Sequence, residues 1–536
     1  MKKISAIISL AIISLSAAAQ SANFDLAKAL DVQNAILKQL AVNYVDSVQF
    51  GKLINTGIDA MLSSMDPYTV YYPEEEEDNV QMMTTGIYGG VGSLIKKLPG
   101  QAVLITEPYA GSPAVKSGLQ PGDSIIAIDG KSVYGETSQQ ASDRMKGQPG
   151  SKVEFKVVKG RSKAVENVTV KRERIHISNI EHYCLLRGDI GYVSITGFTQ
   201  GMTAELKDVI LGLKKEGAER LVIDLRGNGG GLMDEAIKLM SLFVPKGTLV
   251  VSSKGRAKGS NVEYRTQTDP IDTKIPVMVM INSGSASASE IVAGAFQDLD
   301  RGTIAGTRSF GKGLIQSVRP VSFNGTLKVT TGKYYTPSGR CVQAIGYSHR
   351  NEDGSVGAIP DSLTHEFKTA GGRTVKDGGG ITPDLVVEGP KYSRPTISLV
   401  YNDILGDYAI KYYLEHENIA PAEDFSLTDA EYEDFVAFCE SKDFDWRSGS
   451  DAQIEKLIEA AQYEGTYDNC KAEIEALKAK LDITKSDALR LVKKEVKPLL
   501  EANIATKYYY QRAAAIVDMK YDEQLATSID KWLENK

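Results

Sequence analysis

The sequence lacks the usual carriers of hydrolytic and metal chemistry. Its five histidines, His176, His182, His349, His365 and His416, fall in no HExxH or other recognisable constellation, and His365-Glu366 is followed by Phe-Lys-Thr rather than by a spaced second histidine. They read as surface or structural side chains. The four cysteines, Cys184, Cys341, Cys439 and Cys470, form no CxxC pair and stand near no metal-ligand histidine, so no metal site is expected. Cys439 and Cys470 share a helical region and are open to a bridge in an oxidising compartment, with buried free thiols as the blander alternative. An excess of basic charge is also missing. The net charge of −7, with both signs interspersed, leaves no basic face for nucleic acid. After the first 19 residues no apolar run approaches the roughly 20 residues that a membrane span needs.

That first stretch has its own pattern. Lys2 and Lys3 precede an apolar run from Ile4 to Leu15, and Ala17-Ala-Ala19 and Gln20 follow, the layout of a secretory signal with an A-x-A cleavage site. The expectation is an exported, periplasmic protein whose mature form has no integral membrane segment, with membrane association or secretion as variants. The length of 536 residues implies several domains, and a composition of 42% hydrophobic and 24% charged residues is that of a globular chain.

Residues 24 to 82 read as helices. Phe24 to Leu40 and Phe50 to Ser64 carry apolar residues at helical spacing, Asp66-Pro67 stops the second, and the glutamate run Glu74 to Glu77 marks a solvated boundary. From Gly86 to about Arg172 the pattern turns to short strands, among them Val103 to Ile105, Ser124 to Asp129 and Val153 to Val158, with a tight turn at Asp129-Gly130. Between 188 and 390 strands alternate with helices, which predicts a largely parallel sheet covered by helices. The strands are Ile190 to Thr196, Leu221 to Leu225, Leu249 to Ser252, Val277 to Ile281 and Thr303 to Gly306. The helices are Thr203 to Lys215, Met233 to Phe243 and Ala288 to Asp298. After about Ser393 nearly everything is helical, and Thr428 to Glu431 reads as a capping box. Those long charged helices are open to two readings, packing or a dimer surface.

The chemistry concentrates between 221 and 316. Ser287 stands where a buried strand turns into a helix, so an oxyanion formed by its attack on a carbonyl would meet the N–H of Ala288. The competing reading of Ser287-x-x-Glu290 is a plain capping box. A second strand runs into Arg226-Gly-Asn-Gly229-Gly230-Gly231, where glycines let the backbone come close and present N–H donors, a second half of an oxyanion hole. A dinucleotide loop would need a third spaced glycine and an acidic residue that are not there. Gly306 to Lys312 matches a phosphate loop until Gly313 replaces the magnesium-binding Ser or Thr, and Leu314 to Pro320 continues as β structure. Lys312, flanked by glycines, is instead placed to act as a base, provided burial keeps its amine neutral, with Gln316 available to orient it.

Taken together these motifs resemble the C-terminal processing peptidases, also called tail-specific proteases. The likeness covers about residues 25 to 390. It includes Met61-Leu62 with Met65-Asp66-Pro67, Asp224-Leu-Arg226 with the triple glycine, Ser285 to Ile291, Phe310 to Gly313, Tyr335 to Arg340 and Gly380 to Asp384. The resemblance implies a serine endopeptidase with Ser287 as nucleophile, Lys312 as general base and Gln316 assisting the lysine. The implied oxyanion donors are the N–H groups of Ala288 and Gly231, with Gly230 as the close alternative. It also implies a PDZ domain whose loop Gly90-Val91-Gly92 captures a free C-terminal carboxylate. The implied partners are protein or peptide substrates with free C-termini, without nucleic acid and with no cofactor. The segment 344–379 departs from the family pattern as an insertion.

The expected architecture is an α/β core, a mixed sheet with flanking helices, plus a PDZ-like β-rich domain, an N-terminal helical segment and a C-terminal all-helical domain. Its boundaries are a signal peptide at 1–19, helices at 20–82, the PDZ domain at 83–172, the catalytic core at 173–392 and the helical domain at 393–536. The rival function is a non-catalytic peptide- or ligand-binding protein or holdase on the same fold, as in the related interphotoreceptor retinoid-binding proteins. The complete Ser287, Lys312 and Gln316 set favours the enzyme. Cleavage of a test peptide is therefore expected to proceed unchanged in EDTA, and inhibition by the chelator would reveal a metal dependence.

Overall fold

The computed structural model of the chain describes residues 24–350, 356–447, 449–481 and 483–534. The predicted signal, with Lys2, Lys3 and Ala17 to Ala19, lies outside the described residues. The chain divides into two compact units, one of residues up to Tyr71 with Val318–Val329, the other of Tyr72–Ser317 with Thr330 onward. In the first, helices span 24–43 and Phe50–Ser63, and Leu62 is the buried residue of the second helix. Asp66 ends it as expected: its carboxylate accepts the N–H groups of Tyr68 and Thr69, both at 2.8 Å.

In the larger unit the glutamate run is largely exposed, and it takes a regular shape: Glu74–Glu76 form a 3-10 turn that feeds a helix over Glu77–Thr85. Acidic side chains in a first turn meet the positive end of the helix dipole, which favours the helix. A five-stranded antiparallel path follows, in the order Ser93–Lys96, Val103–Pro108, Ser124–Ile128, Lys152–Val158 and Val165–Lys171. Buried and exposed residues alternate along Lys152–Val158, the period of two that a one-faced sheet imposes. Val103, Ile105, Ile125, Phe155 and Val157 fill its core. Asp129 and Gly130 both have positive φ, 46° and 72°, the geometry of a type I′ hairpin turn.

The second large sheet has six strands in the order Ile180–Leu186, Ile190–Ile195, Arg220–Asp224, Val277–Ile281, Thr303–Gly306 and Leu385–Val386. The first pair is antiparallel and the rest are parallel. Every residue of Val277–Ile281 is buried, the mark of a strand covered on both faces. One face packs against helices Met202–Lys215, Met233–Ser241 and Ala288–Asp298; the last of these is buried along its whole length.

One predicted strand left this sheet. Leu249–Lys254 pairs antiparallel with Val262–Arg265 and with Lys333 to Tyr335. A parallel partner needs a long crossover, whereas the hairpin across Gly255 and Gly259 offers an adjacent ladder at once. Segment 344–379, expected as an insertion, holds two small hairpins, Ile345–Arg350 with Val356–Ala358 and Glu366–Lys368 with Thr374–Lys376. Beyond Arg394 the described chain is helical, and Thr428 and Glu431 form their capping box. All four cysteines are free, and of them only Cys439 is buried. Among the described residues no helix is long and apolar enough to cross a membrane.

Arg340 ties the Gly339-Arg340 turn to the end of helix Ala288–Asp298. Its guanidinium, 1% exposed, donates to Gln297 Oε1 and Asp298 Oδ1 at 2.7 Å each and to the Lys376 carbonyl at 3.1 Å. Arg340→Met should cost about 3–5 kcal/mol in urea unfolding, because it strands the Asp298 carboxylate without its counter-charge.

Candidate active site

Strands Arg220–Asp224, Val277–Ile281 and Thr303–Gly306 run parallel, so their C-terminal ends open onto one edge of the sheet. The three motif loops leave from those ends, where open α/β sheets place their sites. After Ile281 the chain makes a braced turn. Asn282 N–H donates to Ser285 Oγ at 2.9 Å, and Asn282 Oδ1 accepts the N–H of Gly284 and of Gly227, also at 2.9 Å. Ser287 then adopts φ 57° and ψ −112°, a conformation that side-chain-bearing residues rarely take. Such strain, of order 1–3 kcal/mol, persists only where surrounding contacts over-determine it.

The contacts are there. Glu290, fully buried, accepts four donors: Ser287 N–H at 2.9 Å and Lys312 N–H at 2.8 Å on Oε2, Gly311 N–H at 2.7 Å and Ser309 Oγ–H at 2.6 Å on Oε1. A single carboxylate oxygen therefore sets the backbones of Ser287 and Lys312 side by side. Burial pushes the Glu290 pKa up, and the four hydrogen bonds offset that only in part. Tyr334 Oη, at the end of a buried side chain, donates to the Ser287 carbonyl at 3.1 Å. The Phe310 N–H donates to the Ser285 carbonyl at 3.0 Å, and Gly313 N–H to Gln343 Oε1 at 2.7 Å, so the lysine loop is fixed on both sides of Lys312. A Cβ on Gly311 would fall 2.4 Å from that of Ala344, which explains a glycine with φ 87° at this place.

The Arg226 to Gly231 loop is organised by Asn228, buried completely. Its side chain donates to the Ile195 carbonyl and accepts the Gly230 N–H, both at 2.8 Å, and its carbonyl accepts Ala286 N–H at 3.0 Å and Ser289 Oγ–H at 2.9 Å. Gly230 packs so closely on the serine turn that a Cβ there would lie 2.8 Å from Ser287 Cβ and 2.9 Å from the Ala288 nitrogen. Of the two N–H groups expected as oxyanion donors, that of Gly230 is taken by Asn228. The Gly230 carbonyl and the Leu232 N–H bond the main chain of Phe198, so Gly231 turns its own N–H to the other side. Ala288 N–H opens the helix as one of its unpaired first-turn donors. Lys312 and Gln316 are both half-buried, and Gln316 Nε2 donates to Thr330 Oγ1 at 3.3 Å.

At the other expected site Val91 is buried and Gly92 has φ 74°; a Cβ on Gly92 would lie 2.6 Å from that of Ser112. The Val91 carbonyl accepts Ala114 N–H at 2.9 Å and that of Gly92 accepts Tyr109 N–H at 3.0 Å. Carbonyl and N–H of a trans peptide point opposite ways, so the N–H groups of Gly92, a buried residue, and of half-buried Ser93 point away from Ala114 and Tyr109. They lie at the start of Ser93–Lys96, the edge strand of its sheet. Gly90 sits just before this turn in a two-stranded pair with Glu173–His176.

Sequence reasoning did not single out Asn228 or Tyr334 and saw Glu290 only as a cap. The S-x-x-E spacing signalled one of its four bonds; the other three come from a loop about 20 residues downstream. Among the described residues no group of histidine, cysteine and carboxylate side chains is arranged to hold a metal ion.

Residues 189–349 match the model of peptidase family S41, residues 104–159 that of the PDZ domain, and residues 395–531 that of a C-terminal helical domain of probable PDZ-proteases. The chain is 33% identical over 378 residues to a carboxy-terminal-processing protease of Bartonella bacilliformis, covering 69% of this chain and 78% of that one. This chain belongs to peptidase family S41. It is also 32% identical over 315 residues to probable CtpA-like serine proteases of Staphylococcus aureus, spanning 62% of their length and 58% of its own. Among solved structures it is similar to a photosystem II D1 C-terminal processing protease, at 26% identity and a TM-score of 0.36, covering 66% of this chain and 86% of that one. Within this S41 peptidase, Glu290→Gln keeps one acceptor oxygen and turns an amide N–H₂ toward two donors. It should lower thermal stability by about 1–3 kcal/mol and cut peptide cleavage at least about tenfold. Melting curves and initial rates measured side by side decide this.

Proposed function

We propose that this chain is an exported serine endopeptidase that selects unstructured protein C-termini through its PDZ domain and cuts peptide bonds by an acyl-enzyme route. Ser287 Oγ attacks the scissile carbonyl while the neutral Lys312 amine takes its proton, and the lysine then hands that proton to the leaving amine. Water, deprotonated by the same amine, attacks the acyl carbonyl; the bond to Oγ then breaks, and the lysine returns the proton to Ser287 Oγ. The tetrahedral oxyanion is met by the N–H groups of Ala288 and Gly231. Gln316, whose Nε2 donates to Thr330 Oγ1, assists by orienting the lysine amine.

One observation carries this reading: a single Glu290 oxygen binds the N–H of Ser287 and the N–H of Lys312. Nothing in a plain helix cap requires a lysine loop to share the cap's carboxylate. The N–H groups of Gly92 and Ser93, turned away from Ala114 and Tyr109, support carboxylate capture, with the substrate adding a strand along Ser93–Lys96. The Lys2-Lys3 pair and the apolar run after it support export to the periplasm.

Ser287→Ala and Lys312→Ala should each abolish cleavage of a peptide with a free apolar C-terminus while both proteins stay folded by circular dichroism; turnover surviving in either removes the mechanism. A folded wild type that binds this peptide without cutting it would instead favour the holdase reading. Amidating the peptide's C-terminus should weaken binding, and equal affinity for the two forms would take the carboxylate role away from the Gly90–Gly92 loop.

A further inference from the structure

The last described helix, Glu523–Glu534, belongs by sequence to the C-terminal helical domain, yet it packs on the catalytic sheet. Leu525, Ile529 and Trp532 are buried with Val222, Met278 and Met280. The alternate residues Leu221, Ile223, Val277 and Val279 face the other core, so this helix covers the opposite face of the sheet.

Its first turn reaches the loop that carries Gly230 and Gly231. Arg226, at the root of that loop, donates from Nη1 to Asp522 Oδ1 at 3.1 Å and to Gln524 Oε1 at 3.0 Å, and from Nη2 to Asp522 Oδ2 at 2.5 Å. On its inner side Nε lies 3.0 Å from both oxygens of Asp224, and Nη2 lies 2.5 Å from Oδ2. The Arg226 N–H donates to Asp224 Oδ1 at 3.0 Å, and Tyr192 Oη donates to Asp224 Oδ2 at 2.8 Å. All five guanidinium donors are thus engaged, and the helical domain supplies three of the acceptor contacts. Gln524 is itself anchored, its Nε2 donating to the Val387 carbonyl at 2.7 Å.

We propose that Asp522 is a positioning residue for catalysis: through Arg226 it holds the Arg226–Gly231 loop in the register that sets the Gly231 N–H beside Ser287. The C-terminal helical domain is then a working part of the catalytic site. This rests on the reading of Gly231 as an oxyanion donor. The contact is tight enough to transmit, because Gly230 has no room for a Cβ against Ser287 and a tilt of Arg226 moves the loop against the nucleophile. Loss of one oxyanion donor typically costs 10²–10³ in rate, and a partial misplacement costs less.

The test uses Asp522→Asn in the full-length protein. Asp522 also accepts the Leu525 N–H at 2.8 Å and so caps its own helix; asparagine caps equally well, and the change removes only the charged oxygen facing Nη2. The expected result is a fall in kcat of about tenfold with KM within about twofold. Labelling of Ser287 by a fluorophosphonate, whose oxygen needs the same donors, should slow in parallel, and Asp522→Glu should recover part of both. A folded Asp522→Asn protein with wild-type kcat and labelling rate overturns the proposal. Should that variant not fold, Gln524→Ala takes its place: it removes one Arg226 acceptor and no cap, and an unchanged kcat there is equally fatal. Ser287→Ala separates the two readings. Cleavage persisting in Ser287→Ala sinks the serine mechanism itself, whereas its loss there beside an unaffected Asp522→Asn sinks only the role of Asp522.

Discussion

Everything at this site hangs on a buried carboxylate. Glu290 is sealed from solvent, where an ionised or a protonated group is costly unless its oxygens are filled, and four donors from two loops fill them. The arrangement converts a desolvation cost into geometry. Any displacement of the Lys312 loop from the Ser287 turn leaves a buried acceptor or a backbone donor unpaired, so the two segments move together or not at all. It also explains how Ser287 is kept at φ 57°: its N–H is held by Glu290 and its carbonyl by Tyr334.

A similar logic governs the facing loop. Asn228 is a side chain performing backbone duties, closing a glycine run too flexible to hold its own shape. By taking the Gly230 N–H it leaves Gly231 to point elsewhere, and by accepting from Ala286 and Ser289 it joins this loop to the serine turn. Three segments distant in sequence are thereby locked into one hydrogen-bonded assembly at the open ends of parallel strands. Arg226 extends that assembly to the last helix of the chain.

The family's division into a PDZ domain, a peptidase core and a helical domain is blurred by contacts. Lys96, on the PDZ edge strand, bonds Asp403 at 2.8 Å and Asp407 at 2.5 Å in the helical domain, and the Glu107 and Lys507 side chains face each other at 3.8 Å with little exposure. Burial pushes the Glu107 pKa up and that of Lys507 down, each change only partly opposed by the attraction between them. The helical domain thus touches the edge strand Ser93–Lys96 at one end and the Arg226–Gly231 loop at the other.

Local patterns determined a good deal by themselves. The apolar run Val277–Ile281, the helix Ala288–Asp298, the strand Leu314–Pro320 and the Asp129-Gly130 turn are written in nearest-neighbour chemistry, and each stands where its residues predict it. The serine and lysine motifs were legible for the same reason, since glycines and a strand-to-helix junction announce unusual backbone. Only the tertiary structure decided what those motifs meet. The sheet chosen by Leu249–Lys254, the four bonds of Glu290, the hub at Asn228 and the reach of Asp522 to Arg226 all depend on chain segments separated by tens to hundreds of residues. Such contacts form because buried polar groups must find partners wherever packing brings them, and that condition is set by the whole fold and leaves no periodicity in the sequence.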